Sequence, residues 1–82
     1  NLGRYDAAWP LVERAWQVRR ESLGEDAAPT LESLTHLGEL ASLQGRYDVA
    51  EAHLRDALAR HERTRGPESA EAAHDRHLLG AV

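Results

Sequence analysis

Apolar positions recur along this chain at helical spacing in four stretches, each closed by a glycine. In the first, from Tyr5 to Leu23, the residues Ala8, Leu11, Val12, Ala15 and Trp16 fall at i, i+3, i+4, i+7 and i+8, one face of an amphipathic helix. Asp6 is the expected N-cap, and Pro10, near the end of the first turn, is expected to bend the entry. Asn1 to Arg4 read as the tail of an earlier helix followed by a glycine turn. Gly24 is a C-terminal stop, and Glu25 to Pro29 form a connector whose proline suits the first position of a new helix. The second helix, 29–43, carries a stripe of Leu34, Leu37, Gly38 and Ala41, with Leu31 and Leu40 beside it. A glycine inside a helix costs about 1 kcal/mol relative to alanine, so Gly38 points to close approach by a neighbouring helix. Gln44-Gly45-Arg46 is too short for anything but an antiparallel hairpin. The third helix, 47–64, has Ala50, Leu54, Ala57, Leu58 and His61 in its stripe. Gly66-Pro67 repeats the stop, and the last helix, 68–80, carries Ala70, Ala73, Leu78 and Leu79.

The stretches are related to one another. Gly45-Arg46-Tyr47-Asp48-Val49-Ala50 restates Gly3-Arg4-Tyr5-Asp6-Ala7-Ala8 at an offset of 42 residues, and the chain laid over itself at that offset gives ten identities in forty pairs. A repeat of this size marks a solenoid, in which each unit buries its apolar face against its neighbours. The chain starts on the second helix of one unit, contains a whole unit and stops after the first helix of a third, which reads as a piece of a longer array. The expectation is that apolar faces at both ends lie open to solvent or to another copy of the chain.

Composition narrows the picture. Eighty-two residues make at most one small domain, marginal without further support. There is no cysteine, hence no disulfide or thiolate metal site. The apolar runs are far shorter than the ~20 residues that cross a bilayer, no signal peptide is visible, and a cytoplasmic location is the expectation. A net charge of -4 argues against a broad phosphate-binding surface. All ten basic residues are arginine, and Lys, Ile, Phe and Met are missing, a bias that points to a bacterial genome rich in GC.

Leu34, Leu37-Gly38, Ala41, Gly45, Tyr47, Ala50, Leu54 and Ala57 together resemble the signature of a tetratricopeptide repeat. The 42-residue unit, with Leu23-Gly24-Glu25-Asp26 and Pro29-Thr30 between repeats and the steps Trp9-Pro10-Leu11 and Arg14-Ala15, resembles the extended kinesin-light-chain variety. Two departures stand out: Leu34-Thr35-His36-Leu37-Gly38 replaces the Leu-Asn-Asn-Leu-Ala of that variety, and Ala27-Ala28 replaces its His-Pro. The resemblance implies an all-α, right-handed superhelix of antiparallel helix pairs whose first helices line a concave groove for protein or peptide partners. By position, Glu32, Thr35, His36, Glu39, Ser42 and Leu43 would face or flank that groove, continued by His74, His77 and Ala81. It also implies a scaffold within a larger bacterial regulator. Self-assembly through the open ends, as a homo-oligomer, is the alternative use, and a histidine-based small-ligand sensor is a third.

No residue pattern points to catalysis. Ser33 and His36 lie on a helix without a nucleophile elbow, His61-Glu62-Arg63 lacks the second histidine of a zinc-protease helix, and the absence of lysine removes a phosphate loop. His74 and His77, at i and i+3 near Glu71 and Asp75, have ligand-like spacing, but two histidines without a third preorganised ligand do not make a metal site; no metal and no cofactor are expected. Arg14, Arg19, Arg20, Arg55, Arg60, Arg63 and Arg65 are interleaved with Glu13, Glu21, Asp56 and Glu62, a solvated face rather than a nucleic-acid stripe. Trp9 and Trp16, seven apart on one helix, are expected to fill the space between repeats.

Overall fold

Gly24 and Gly66, one period apart, end the first and third helices with φ of +101° and +99°, a backbone that side chains beyond glycine rarely adopt. Between such stops the computed structural model, which describes residues 2–82, forms four α-helices: α1 (Leu2–Leu23), α2 (Ala28–Leu43), α3 (Tyr47–Arg65) and α4 (Ala70–Gly80). Each packs chiefly on its neighbours in chain order, and no strand occurs among the described residues.

α1 starts at Leu2, ahead of the Tyr5 expected from the pattern. Gly3 and Arg4 are therefore helical and not a turn, and Asp6 is no N-cap: its carboxylate accepts a hydrogen bond from Gln44 Nε2 at 2.9 Å. The equivalent Gly45-Arg46 is a true turn because its amides reach back to carbonyls of α2, Gly45 N to Ser42 O at 3.0 Å and Arg46 N to Ala41 O at 2.8 Å. Asn1 lies outside the described residues. Pro29 sits at the second position of α2, after Ala28, and no side chain caps that helix. Ser69 caps α4 by accepting from Ala72 N at 3.2 Å.

The core lies between α2 and α3. Leu31, Leu34, Leu37, Ala41, Ala50, Leu54 and Ala57 are buried there, and Trp16 of α1 packs against Leu31, Leu34 and Ala57. Gly38 permits the close approach that its place in a helix implies: a Cβ built on it would lie 2.5 Å from Leu54 Cγ. On α1 the inward face runs through Tyr5, Ala8, Trp9, Val12 and Trp16, while Leu11, at 73% exposure, and Ala15 face outward. On α4 the expected Ala70 and Ala73 are exposed; Ala72 and Asp75 are fully buried, with Leu78 and Leu79 half-buried. The pattern there misled because one of the two fully buried positions, Asp75, holds a carboxylate, which an apolar stripe cannot register.

α1 and α3 also meet directly through aromatic rings. His53 sits between the indoles of Trp9 and Trp16, with ring centroids 6.3 and 6.5 Å away. Arg46 stacks over Trp9 at 4.5 Å and Arg20 over Trp16 at 4.3 Å, so cations close both ends of the ladder. Burial, which disfavours the imidazolium, holds the pKa of His53 below its ordinary 6.5; Asp56 and Glu13 pull upward, and Arg46 reinforces the depression. The folded chain thus binds fewer protons at His53 than the unfolded chain. Its contribution is full above the unfolded value and is lost as pH falls through that value toward the folded one.

Two predictions follow from this packing. Gly38→Ala lowers the unfolding free energy by about 1–3 kcal/mol through overpacking against Leu54, despite alanine's better helix propensity. Gly80→Ala, with nothing within 4 Å of the new Cβ, lowers it not at all; urea titrations of the two variants compare them. Separately, the melting temperature of the parent chain falls between about pH 7.5 and about pH 5.5, and His53→Gln flattens that part of the profile.

Candidate functional site

The face of α2 turned away from its buried leucines carries Glu32, His36, Glu39 and Leu43, spaced i, i+4, i+7 and i+11 and therefore aligned on one side of the helix. Glu32, His36 and Leu43 are exposed and Glu39 is half-buried. Two depressions flank this ridge. A polar cleft of about 450 Å³ lies toward the start of α2, and His36, Glu32 and Thr35 line it together with His61 of α3 and Glu71 and His74 of α4. A notch of about 180 Å³ lies toward the end of α2, between Ala8 and Val12 of α1 and Leu40, Leu43, Glu39 and His36 of α2. His36 borders both.

The floor of the polar cleft is a buried network. Asp75, fully buried, accepts a hydrogen bond from Thr35 Oγ1 at 2.7 Å and one from His61 Nδ1 at 2.5 Å. A carboxylate only accepts, so Nδ1 carries the proton and the ring is oriented by Asp75. Thr35, Asp75 and His61 belong to α2, α4 and α3, so three helices are fastened at one carboxylate. The walls are ion pairs: Arg19 with Glu32 and Arg65 with Glu71, each at 3.6 Å. Arg19 also donates to Pro29 O at 3.1 Å and Ser33 Oγ at 3.0 Å.

The network has a counterpart one period earlier. Arg19 and Ser33 precede His61 and Asp75 by 42 residues each, and in both pairs a side chain near the end of a second helix bonds one near the start of the next first helix. The connector between α1 and α2 is tied to α3 by a further cluster: Asp26 accepts from Arg60 at 2.7 Å and from Arg63 at 3.3 Å. The hydrogen bond from Arg60 is the main cause that holds the Asp26 carboxyl below its usual range, and it raises Arg60 in turn.

The sequence-derived site residues therefore separate. Glu32, Thr35, His36 and His74 meet in the polar cleft, with Thr35 on its floor and its hydroxyl committed to Asp75. Glu39 and Leu43 border the apolar notch. Half-buried Ser42 and exposed His77 line neither depression. His74 and His77 are thus not gathered, and among the described residues no three His, Cys, Asp or Glu side chains are placed to hold a metal ion. Sequence reasoning missed Arg19, His61, Arg65 and Glu71 as cleft residues and Asp75 as the buried acceptor beneath them; the signal available was the register, since Asp75 repeats the place of Ser33.

Asp75→Ala leaves His61 and Thr35 without their buried acceptor. We expect a loss of about 2–5 kcal/mol, from two buried donors left unsatisfied at about 1–3 kcal/mol each, read by chemical denaturation followed by circular dichroism. A loss under about 1 kcal/mol, of the size seen for exposed pairs, would show that the network does not hold α4.

A family model described as a tetratricopeptide repeat matches residues 1–63. No curated protein and no solved structure matches the chain.

Proposed function

Because the chain belongs to the tetratricopeptide-repeat family, whose repeats generally mediate protein–protein interaction, we propose that it is a non-catalytic scaffold that captures a peptide or helix of a partner protein along α2. The observation that carries this reading is the ridge of Glu32, His36, Glu39 and Leu43, which takes no part in the core and is flanked by a polar cleft and an apolar notch. An apolar side chain of the partner would enter the notch against Val12, Leu40 and Leu43. Polar groups would meet Glu32, His36 and His74 in the cleft. Fixed anchors of this kind, a buried apolar contact beside hydrogen-bonding groups, supply affinity and register together. Ser42 and His77 extend the same surface at its margins.

The finer setting is also proposed: a unit of the 42-residue type, the complete repeat spanning 29–64, working in the cytoplasm of a bacterium as part of a larger regulator. The 42-residue offset and the arginine-only basic composition support it. No helix among the described residues is long and apolar enough to cross a membrane, and the interleaved charges favour neither nucleic acid nor a membrane surface as partner.

The test is an array of immobilised amphipathic peptides probed with the parent chain and with Glu39→Arg and Leu43→Glu. Both substitutions are at positions outside the core, so the fold and the mass in solution stay unchanged. The expected outcome is a set of leucine-bearing peptides retained by the parent and weakened at least about tenfold, or 1.4 kcal/mol, by either substitution. Retention that ignores both substitutions would remove the ridge from the binding surface.

A further inference from the structure

His61 lines the polar cleft with only 5% of its surface exposed, and one of its two ring nitrogens is unused. Nδ1 donates to Asp75, while Nε2 has no hydrogen-bond partner among the described residues. A neutral imidazole that donates from one nitrogen offers a lone pair at the other, so the Asp75 bond fixes an acceptor on the cleft floor. The groups around it are acceptors too. Glu32 and Glu71 line the same cleft, each beside an arginine at 3.6 Å, a separation longer than a hydrogen bond that leaves carboxylate lone pairs open. Arg19 Nη1 is already directed at Pro29 O and Ser33 Oγ. Two guanidinium charges, of Arg19 and Arg65, thus face three carboxylates, those of Glu32, Glu71 and the underlying Asp75. With the imidazoles of His36, His61 and His74 neutral, one negative charge is left uncompensated.

We propose that the polar cleft binds a primary ammonium, the side chain of a lysine on the captured partner, with Nε2 of His61 and the carboxylates of Glu32 and Glu71 as its acceptors. An ammonium carries three donors and no acceptor, which suits these three groups and the surplus negative charge. A carboxylate or phosphate would meet a lone pair and like charge instead. His36 borders both the cleft and the apolar notch, so one partner segment can present an apolar side chain to the notch and a lysine to the cleft. The 82 residues contain no lysine, so the group is foreign to this segment. The inference rests on the ridge reading for the molecule that carries the lysine, while the chemistry of the cleft stands apart from it.

The probe is Nα-acetyl-lysine N-methylamide, whose single charge is the ammonium, titrated to millimolar concentration while NMR follows the His61 ring resonances. The expected result is a saturable shift that disappears when the amine of the probe is acetylated. Glu32→Gln and Glu71→Gln, both at exposed positions, each weaken binding about threefold, the size of one exposed ion pair. His61→Asn keeps an amide to donate to Asp75 but removes Nε2, and weakens binding as read on the backbone amide of Glu71; circular dichroism confirms that each variant is folded. Absence of a shift, a shift that survives acetylation, or one that neither glutamine changes would overturn the proposal. Acetate binding more tightly than the lysine probe would assign the cleft to anions, and glycine methylamide binding more tightly would assign it to an N-terminal amine. The peptide array separates this inference from the ridge reading. Peptides retained equally with lysine or with norleucine would sink the lysine site and leave capture by the ridge standing. Probe binding by a chain that retains no peptide would do the reverse.

Discussion

The carboxylate of Asp75 is the point on which the packing of α4 depends. A buried charge is tolerated only where it is paired and hydrogen-bonded, and Asp75 has both oxygens occupied, by Thr35 of α2 and by His61 of α3. The arrangement is directional where leucine contacts are not. It permits one rotation and one height of α4 against the preceding pair, because a shift of either kind leaves a buried acceptor empty. The same bond turns the imidazole of His61 into the floor of the polar cleft. Fold and site therefore share a single constraint, and the floor of the cleft cannot change shape without loosening a helix.

The repeat keeps geometry and exchanges chemistry. Arg19 with Ser33 and His61 with Asp75 occupy the same two positions in successive units, yet the first pair is a partly exposed guanidinium on a hydroxyl and the second a buried imidazole on a carboxylate. The exchange extends to Thr30 and Ala72. Both are fully buried, but the Thr30 hydroxyl has no hydrogen-bond partner, an unsatisfied group that alanine avoids one unit later. Units that share a backbone can thus differ in how firmly they hold the next helix. The Trp9–His53–Trp16 ladder adds a second, aromatic tie between α1 and α3, on helices that the Asp75 network does not join to each other.

Most of the fold was legible because it rests on spacing and on glycine. The stripes of α2 and α3, the stop at Gly24 and Gly66, and the close approach at Gly38 all have causes that appear in the letters themselves. The start of α1 was not legible, since Gly3-Arg4 and Gly45-Arg46 are the same letters, and what makes the second pair a turn is the bonding of its amides to carbonyls of α2, which the letters do not carry. The inward face of α4 was hidden for a different reason: Ala70, Ala73, Leu78 and Leu79 are apolar by type, while the buried positions are Ala72 and Asp75, and the partners of Asp75 lie 40 and 14 residues away in the chain. The cleft shared that fate. Glu32, His36 and His74 could be placed by position along helices, but Arg19, Arg65 and Glu71 enter it through tertiary packing.

The division of α2 into a buried stripe and a free ridge bears on how such a surface would recognise anything. Leu31, Leu34, Leu37 and Ala41 fix the helix in the core, so the ridge side chains are displayed on a rigid element and need little ordering on binding. The ion pairs at the cleft rim are of the opposite character. Arg19 with Glu32 and Arg65 with Glu71 are exposed pairs at 3.6 Å, a class that contributes roughly 0–1 kcal/mol. Either can open to meet a partner group at small loss to stability, whereas the Asp75 network beneath cannot. Selectivity on this surface therefore resides in the rigid parts, the notch and the oriented floor, and adaptability in the charged rim, which is the reverse of what the dense charge along α2, α3 and α4 suggests.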